Sequence, residues 1–140
     1  MAIRSAGHVS VPHTADLRIE AWAPTQAQCL VEAVNALVDS FIDRPRPHPS
    51  STVEWTLLDD HAENLLADLL DEVIYQMEVF SHVPVATTVE STPNGWRVRF
   101  EMAELAEATA CGAMPKAVSL HDIRLRPVEN GWRCVVTIDV

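Results

Sequence analysis

Lysine is almost absent from the 140-residue chain: Lys116 is the sole example among ten basic residues. Glycine is scarce as well, and the four present share no motif, which excludes a phosphate-cradling glycine loop. Three cysteines, Cys29, Cys111 and Cys134, form an odd set without C-x-x-C spacing. Neither a disulfide framework nor a zinc knuckle follows from them, and reduced, packed thiols are expected. No H-E-x-x-H or G-x-S-x-G occurs, so the sequence displays no assembled catalytic centre. Nor does any apolar run approach the roughly 20 residues that would span a bilayer. The opening stretch MAIRSAGHVSVPHT lacks the continuous apolar segment of a secretory signal, so a soluble, cytoplasmic protein without membrane partners is expected.

What the chain does have is a globular composition, 48% hydrophobic and 21% charged, at a length that suits one domain over residues 1–140. Its formal net charge of -10 speaks against a protein that grips nucleic acid, because phosphate contacts need a clustered basic surface. No direct nucleic-acid binding is expected.

Two windows carry helical periodicity. In PTQAQCLVEAVNALVDSFID the apolar residues Ala27, Leu30, Val31, Val34, Leu37, Val38 and Phe41 recur at three- and four-residue spacing. Thr25 and Gln28 read as a capping box, and the prolines at 45, 47 and 49 predict an end near Ile42. In DDHAENLLADLLDEVIYQMEVF, Asp60 and Glu63 mark the start, and Ala62, Leu65, Leu66, Leu69, Val73 and Met77 form the buried stripe, widened by Leu70 and Ile74. The acids Glu63, Asp68, Asp71, Glu72 and Glu78 on this helix read as a solvated face, with a docking face for a basic partner as the alternative.

Alternation marks the strands. Leu17, Ile19 and Ala21 share one side of an early strand, and Val53, Trp55 and Leu57 one side of another. Asn94-Gly95 and Asn130-Gly131 supply two tight hairpin turns, with Trp96, Val98, Phe100 and Met102 facing inward after the first and Trp132, Cys134, Val136 and Ile138 after the second. Between the hairpins, AELAEATACGAMP reads as a short helix or a loop. The sum is an α+β fold: two helices packed on one face of a mostly antiparallel β-sheet.

One acidic corner stands out. Asp139 is followed directly by Val140, so its side chain lies close to a second carboxylate, and paired anions favour a cation between them. If the strand ending at Asp139 runs beside the one beginning at Leu17, Asp16 joins that corner. Such oxygens suit calcium, magnesium or manganese. Solvated acids are the simpler reading. His13 and His121, each beside an acid-bearing stretch, read as loop-orienting or strand residues with satisfied rings.

The landmarks HTAD (His13 to Asp16), PT (Pro24-Thr25), ENLLADLLDEVIY (Glu63 to Tyr75), KAVSLH (Lys116 to His121) and the final DV appear in the order found in archeases, and from about His8 to Val140 the chain resembles that family. The resemblance implies a small cytosolic protein that is not itself an enzyme. Archeases promote guanylylation and multiple turnover of an RtcB-type RNA ligase in tRNA splicing and RNA repair. It further implies a divalent metal ion held by Asp16, Asp139 and Val140, with Lys116, His13 and His121 supporting the site or facing the partner. Arg18 stands where the family commonly has a small residue, and is expected to shield the acids or pair with Asp16; Leu120 replaces a frequent aromatic. A metal-dependent hydrolase and a general chaperone or binding module are the competing readings.

Overall fold

A computed structural model describes residues 5–12, 16–58 and 61–140. His13 and Asp60 lie outside those ranges, so the roles expected for them have no structural counterpart here. The elements run β1 (Gly7–Pro12), β2 (Asp16–Ala23), α1 (Gln26–Asp39), β3 (Ser51–Leu58), α2 (Ala62–Phe80), β4 (His82–Thr92), β5 (Gly95–Glu104), a 3₁₀ turn (Leu105–Glu107), β6 (Ala117–Val128) and β7 (Gly131–Asp139). Two helices and antiparallel strands make the α+β fold that the periodicity predicts.

The strands divide between two sheets rather than one: a four-stranded sheet in the order β1-β2-β7-β6 and a three-stranded sheet in the order β3-β5-β4. The separation comes from β3, whose Val53, Trp55 and Leu57 face Phe100, Val98 and Trp96 across β5. That pairing ties the strand between the helices to the first hairpin. Trp55 also meets Phe100 edge-on, with ring centroids 4.8 Å apart. Helix α1 lies against β1, β2 and β7, helix α2 against β6, and both reach β4. One buried cluster runs through the layers, from Ile19, Val136 and Ile138 through Leu30, Leu37, Leu66 and Leu70 to Phe100 and Met102.

The start of α1 follows its sequence signal, for the Gln28 N–H donates to Thr25 Oγ1 at 3.2 Å. Its end comes earlier than Ile42. Ser40 caps the helix, its hydroxyl donating to the Leu37 carbonyl at 2.6 Å, and Ile42 pairs instead with Ala110. Asp43 N–H to the Thr109 carbonyl (2.8 Å) and Cys111 N–H to the Phe41 carbonyl (3.0 Å) complete the strap, so the small-residue segment is a 3₁₀ turn and a fastened loop. Gly112 belongs to it because a Cβ there would sit 2.2 Å from the Ser40 carbonyl oxygen. Cys29 and Cys134 are buried free thiols, as packing predicts, whereas Cys111 in this loop is exposed.

Glu63 departs from the solvated face. Its Oε2 accepts the Leu125 N–H at 2.9 Å, satisfying a donor on the edge strand β6 and pinning α2 to it.

A polar clamp unites α1 with the segment that follows it. Asp39 accepts from Arg46 (2.8 Å) and, through both oxygens, from Arg44 (3.2 and 3.0 Å), while His8 on β1 spans Asp39 (3.0 Å) and Glu32 (2.6 Å). Arg46 continues to Asn35 Oδ1 at 3.1 Å and the Val85 carbonyl at 3.2 Å. Burial works to raise the Asp39 carboxyl, but the hydrogen bonds and charges of Arg44 and Arg46 outweigh it and hold it below the ordinary value. A depressed carboxyl contributes stability that is fully present above the unfolded value of about 3.9 and is lost as pH falls through the lower folded value. Asp39→Asn should therefore cost about 1–3 kcal/mol at neutral pH, because it strips a charged partner from a mostly buried guanidinium. Its thermal midpoint should also change less than that of the wild type between pH 5 and 2; parallel melting curves over that range would contradict this role.

Candidate metal corner

The centre of the four-stranded sheet places the expected residues. Strands β2 and β7 pair antiparallel with Leu17 facing Ile138, Ile19 facing Val136, Ala21 facing Cys134 and Ala23 facing Trp132, all toward the helices. This inner face fixes the alternation, since a one-residue slip would turn every buried side chain outward. Cys29 of α1 comes close enough to donate to the Ala21 carbonyl, with sulfur and oxygen 3.7 Å apart, which brings the helix directly onto this strand. The same register puts Asp16 directly opposite Asp139 on the outer face. Directly opposed residues in an antiparallel pair hold their Cβ atoms about 4.5–5.5 Å apart, and like charges so placed repel.

Three further observations build the corner. The Lys116 N–H donates to the Asp139 carbonyl at 2.8 Å, and Ala117 pairs with Asp139, so the lone lysine is fastened next to the acid by its main chain. Its side chain is exposed. Val140 packs its side chain against the core, which fixes the main-chain oxygens that follow Asp139.

Arg18 does not fill the role expected of it. Its guanidinium lies 3.6 Å from Glu20 and forms no ion pair with Asp16; Glu20 also receives Arg133 from β7. The spacing in DLRIE explains the choice, since Asp16, Arg18 and Glu20 share the outer face at alternate positions. Glu20, two residues on, takes up Arg18 on that face although it also holds Arg133. Among the described residues neither Asp16 nor Asp139 is paired with a basic side chain.

His121 is also not gathered into the corner. Strand β6 loses register between Ser119 and Arg124, and Asp122 there takes φ 61°, a left-handed conformation uncommon for a residue with a side chain. The His121 side chain stands 89% exposed on this bulge, 3.2 Å from Asp122, and Leu120 beside it is 71% exposed. Nothing in KAVSLHDIRL announces this bulge by turn chemistry, so strand alternation alone could not have found it.

Tested against a metal ion, the corner offers two side-chain carboxylates and the main-chain oxygens of Val140. These are hard donors suited to calcium, magnesium or manganese, with no bonded cation displacing an ion. Among the described residues no group of three or more His, Cys, Asp or Glu side chains is placed to hold a metal. The donor set therefore fits a cation completed by main-chain oxygen or water, and does not fit a histidine- or thiolate-rich transition-metal site.

Residues 9–140 match the sequence profile of the archease protein family (MTH1598/TM1083). The chain belongs to the archease family. A Mycobacterium tuberculosis relative named as a probable protein archease is 43% identical over 136 residues, covering 97% of this chain and 76% of its own. A protein archease of Methanopyrus kandleri is 28% identical, with 93% of this chain and 96% of that one aligned. The fold agrees with the solution structure of Methanobacterium thermoautotrophicum protein 1598, at a TM-score of 0.75 and 16% identity over 96% of this chain and 99% of that one. It also agrees with a Thermotoga maritima crystal structure described as an archease, possible chaperone, at a TM-score of 0.69 and 18% identity, covering 93% and 94% of the two chains. Among the described residues no helix is long and apolar enough to cross a membrane.

The opposed carboxylates make a thermodynamic demand that needs no partner to test. In excess chelator, Asp139→Asn should raise the thermal midpoint, by the equivalent of about 0.2–1 kcal/mol, because it removes a like-charge pair. A midpoint equal to or below that of the wild type would show that the two acids do not oppose one another.

Proposed function

We propose that this archease acts as a protein cofactor, not as an enzyme, promoting guanylylation and multiple turnover of an RtcB-type RNA ligase in tRNA splicing and RNA repair. The observation that carries the reading is the in-register facing of Asp16 and Asp139, with no basic side chain among the described residues spent on either, in a chain of this family. Asp16, Asp139 and the main-chain oxygens of Val140 would hold a divalent ion, calcium, magnesium or manganese. The ion supplies a fixed positive centre at an otherwise anionic corner. Around it, Lys116 brings a mobile ammonium from a main chain held to Asp139, and His121 and Leu120 project from the β6 bulge as contacts for the ligase. His13, three residues before Asp16 in sequence, belongs to the same set of supporting residues.

Physically, the corner can present a charge of one sign on a surface dominated by the other. That contrast favours register with a partner more than it favours raw affinity. The acidic chain as a whole repels RNA, which leaves the nucleic acid to the ligase. The description of the Thermotoga protein as a possible chaperone favours a second reading, in which the chain assists a protein partner without a metal.

Two measurements separate these. Millimolar divalent ion should raise the thermal midpoint of the wild type and leave Asp139→Asn nearly unmoved, since an ion that binds only the folded state adds its binding free energy to stability. A wild type blind to all three ions points to the metal-free chaperone. In a guanylylation assay with a purified RtcB-type ligase, Asp16→Ala, Asp139→Ala and Lys116→Ala proteins should each lose most of the stimulation. Wild-type stimulation by all three would defeat the proposal, and turnover by the archease alone would favour the hydrolase.

A further inference from the structure

Helix α2 carries an uncompensated face that the metal corner does not use. Its 19 residues, Ala62–Phe80, contain no lysine or arginine. Asp68, Asp71, Glu72, Tyr75, Glu78 and Val79 recur at three- and four-residue spacing and form one stripe on the side away from the core. Solvated helices offset such acids with bases one turn away, whereas among the described residues none of these four carboxylates pairs with a lysine or arginine. Glu72 is held only by Gln76, whose Nε2 donates to it at 3.1 Å. Glu78 sits in the last turn, where the helix dipole is already negative, and the last turn holds no basic residue. Burial and the neighbouring Asp68 push the Asp71 carboxyl up, so the stripe is crowded with charge of one sign.

At the end of this stripe the surface turns apolar. Tyr75 is 49% exposed, Val79 56% and Phe80 49%. The Tyr75 and Phe80 rings meet edge-on with centroids 5.9 Å apart, and Phe80 stacks on His82 at 6.3 Å. Ser81 takes φ 55°, and its N–H donates to the Gln76 and Met77 carbonyls, so the knob sits on a firmly capped helix end. Contiguous exposed aromatics beside a charged rim have the anatomy of a binding hot spot.

We propose that this face of α2, centred on Tyr75, Val79 and Phe80 and edged by Asp68, Asp71 and Glu78, docks a positively charged protein surface containing an apolar pocket. Charge selects the occupant. A second copy packed face to face would set acid against acid, and nucleic acids or anionic membranes would be repelled. The identity of the partner as the RtcB-type ligase rests on the function proposed above; the surface itself rests on α2.

The test uses the full chain and a purified RtcB-type ligase. Tyr75→Ala/Phe80→Ser should weaken binding by about tenfold or more, chiefly through faster dissociation, and Asp68→Lys/Glu78→Lys should slow association at low salt, with the difference shrinking at high salt. Both variants should keep the divalent-ion shift of the thermal midpoint, which shows that fold and corner are intact. If the ligase binds the wild type and both variants alike, the α2 surface is wrong while the proposed function stands. No binding of the wild type overturns both. A wild type whose self-association in sedimentation disappears with Tyr75→Ala/Phe80→Ser would replace the basic partner with a second copy and also overturn the proposal.

Discussion

The antiparallel contact between β2 and β7 is the constraint on which the molecule turns. It lies at the centre of the four-stranded sheet, joins a strand from the first fifth of the chain to the last strand, and carries side chains of both to α1 on its inner face. Because facing residues share a face, the packing that buries Ile19 with Val136 is the same event that opposes Asp16 and Asp139. The core thus enforces a contact that electrostatics resists. Hydrophobic burial of several large side chains, each worth about 1.5–3 kcal/mol, readily outweighs one exposed like-charge pair costing about 0.2–1 kcal/mol.

The outer face distributes its charges accordingly. Glu20 takes up Arg18 from its own strand and Arg133 from the next, and among the described residues no basic side chain pairs with the acids at the strand ends. Had Arg18 reached Asp16, the corner would have been neutralised from within. At the C-terminal end of α1, Arg44 and Arg46 are both bound to Asp39, again keeping scarce positive charge in structural service. With ten basic residues against twenty acidic ones, where the arginines go determines which acids remain available.

Much of this was legible before any coordinates, for identifiable reasons. Helix α1 carried a capping threonine and an unbroken apolar stripe; both hairpins carried Asn-Gly; and strict alternation in LRIEAWA and WRCVVTID assigned the inner face correctly. The corner was legible because the two acids end strands whose alternation ties them to a common face. Other features had no local signal. Whether β3 joins β2 or β5 depends on pairing between distant strands, so one sheet could not be told from two. The β6 bulge departs from an alternating sequence without glycine or proline to mark it, and it leaves the His121 side chain exposed. Glu63 read as a solvated acid because its partner, a main-chain N–H on β6, has no identity in the sequence.

The same electrostatic logic operates at two scales. At the corner, two carboxylates face each other across the strand pair; along α2, four acids line a helix without a lysine or arginine. Like charges placed this close repel, and positive charge supplied from outside would relieve that repulsion. Under the proposals made above, that charge would be a small, hard divalent ion at the corner and a broad basic surface with room for Tyr75 and Phe80 at the helix. A fold with a largely apolar core can tolerate such surface repulsion, because most of its burial lies in the layers around Leu30, Leu66 and Phe100. Binding of the proposed ion or partner would then draw on repulsion already present in the free protein, and the loss of that repulsion would add to whatever new contacts either makes.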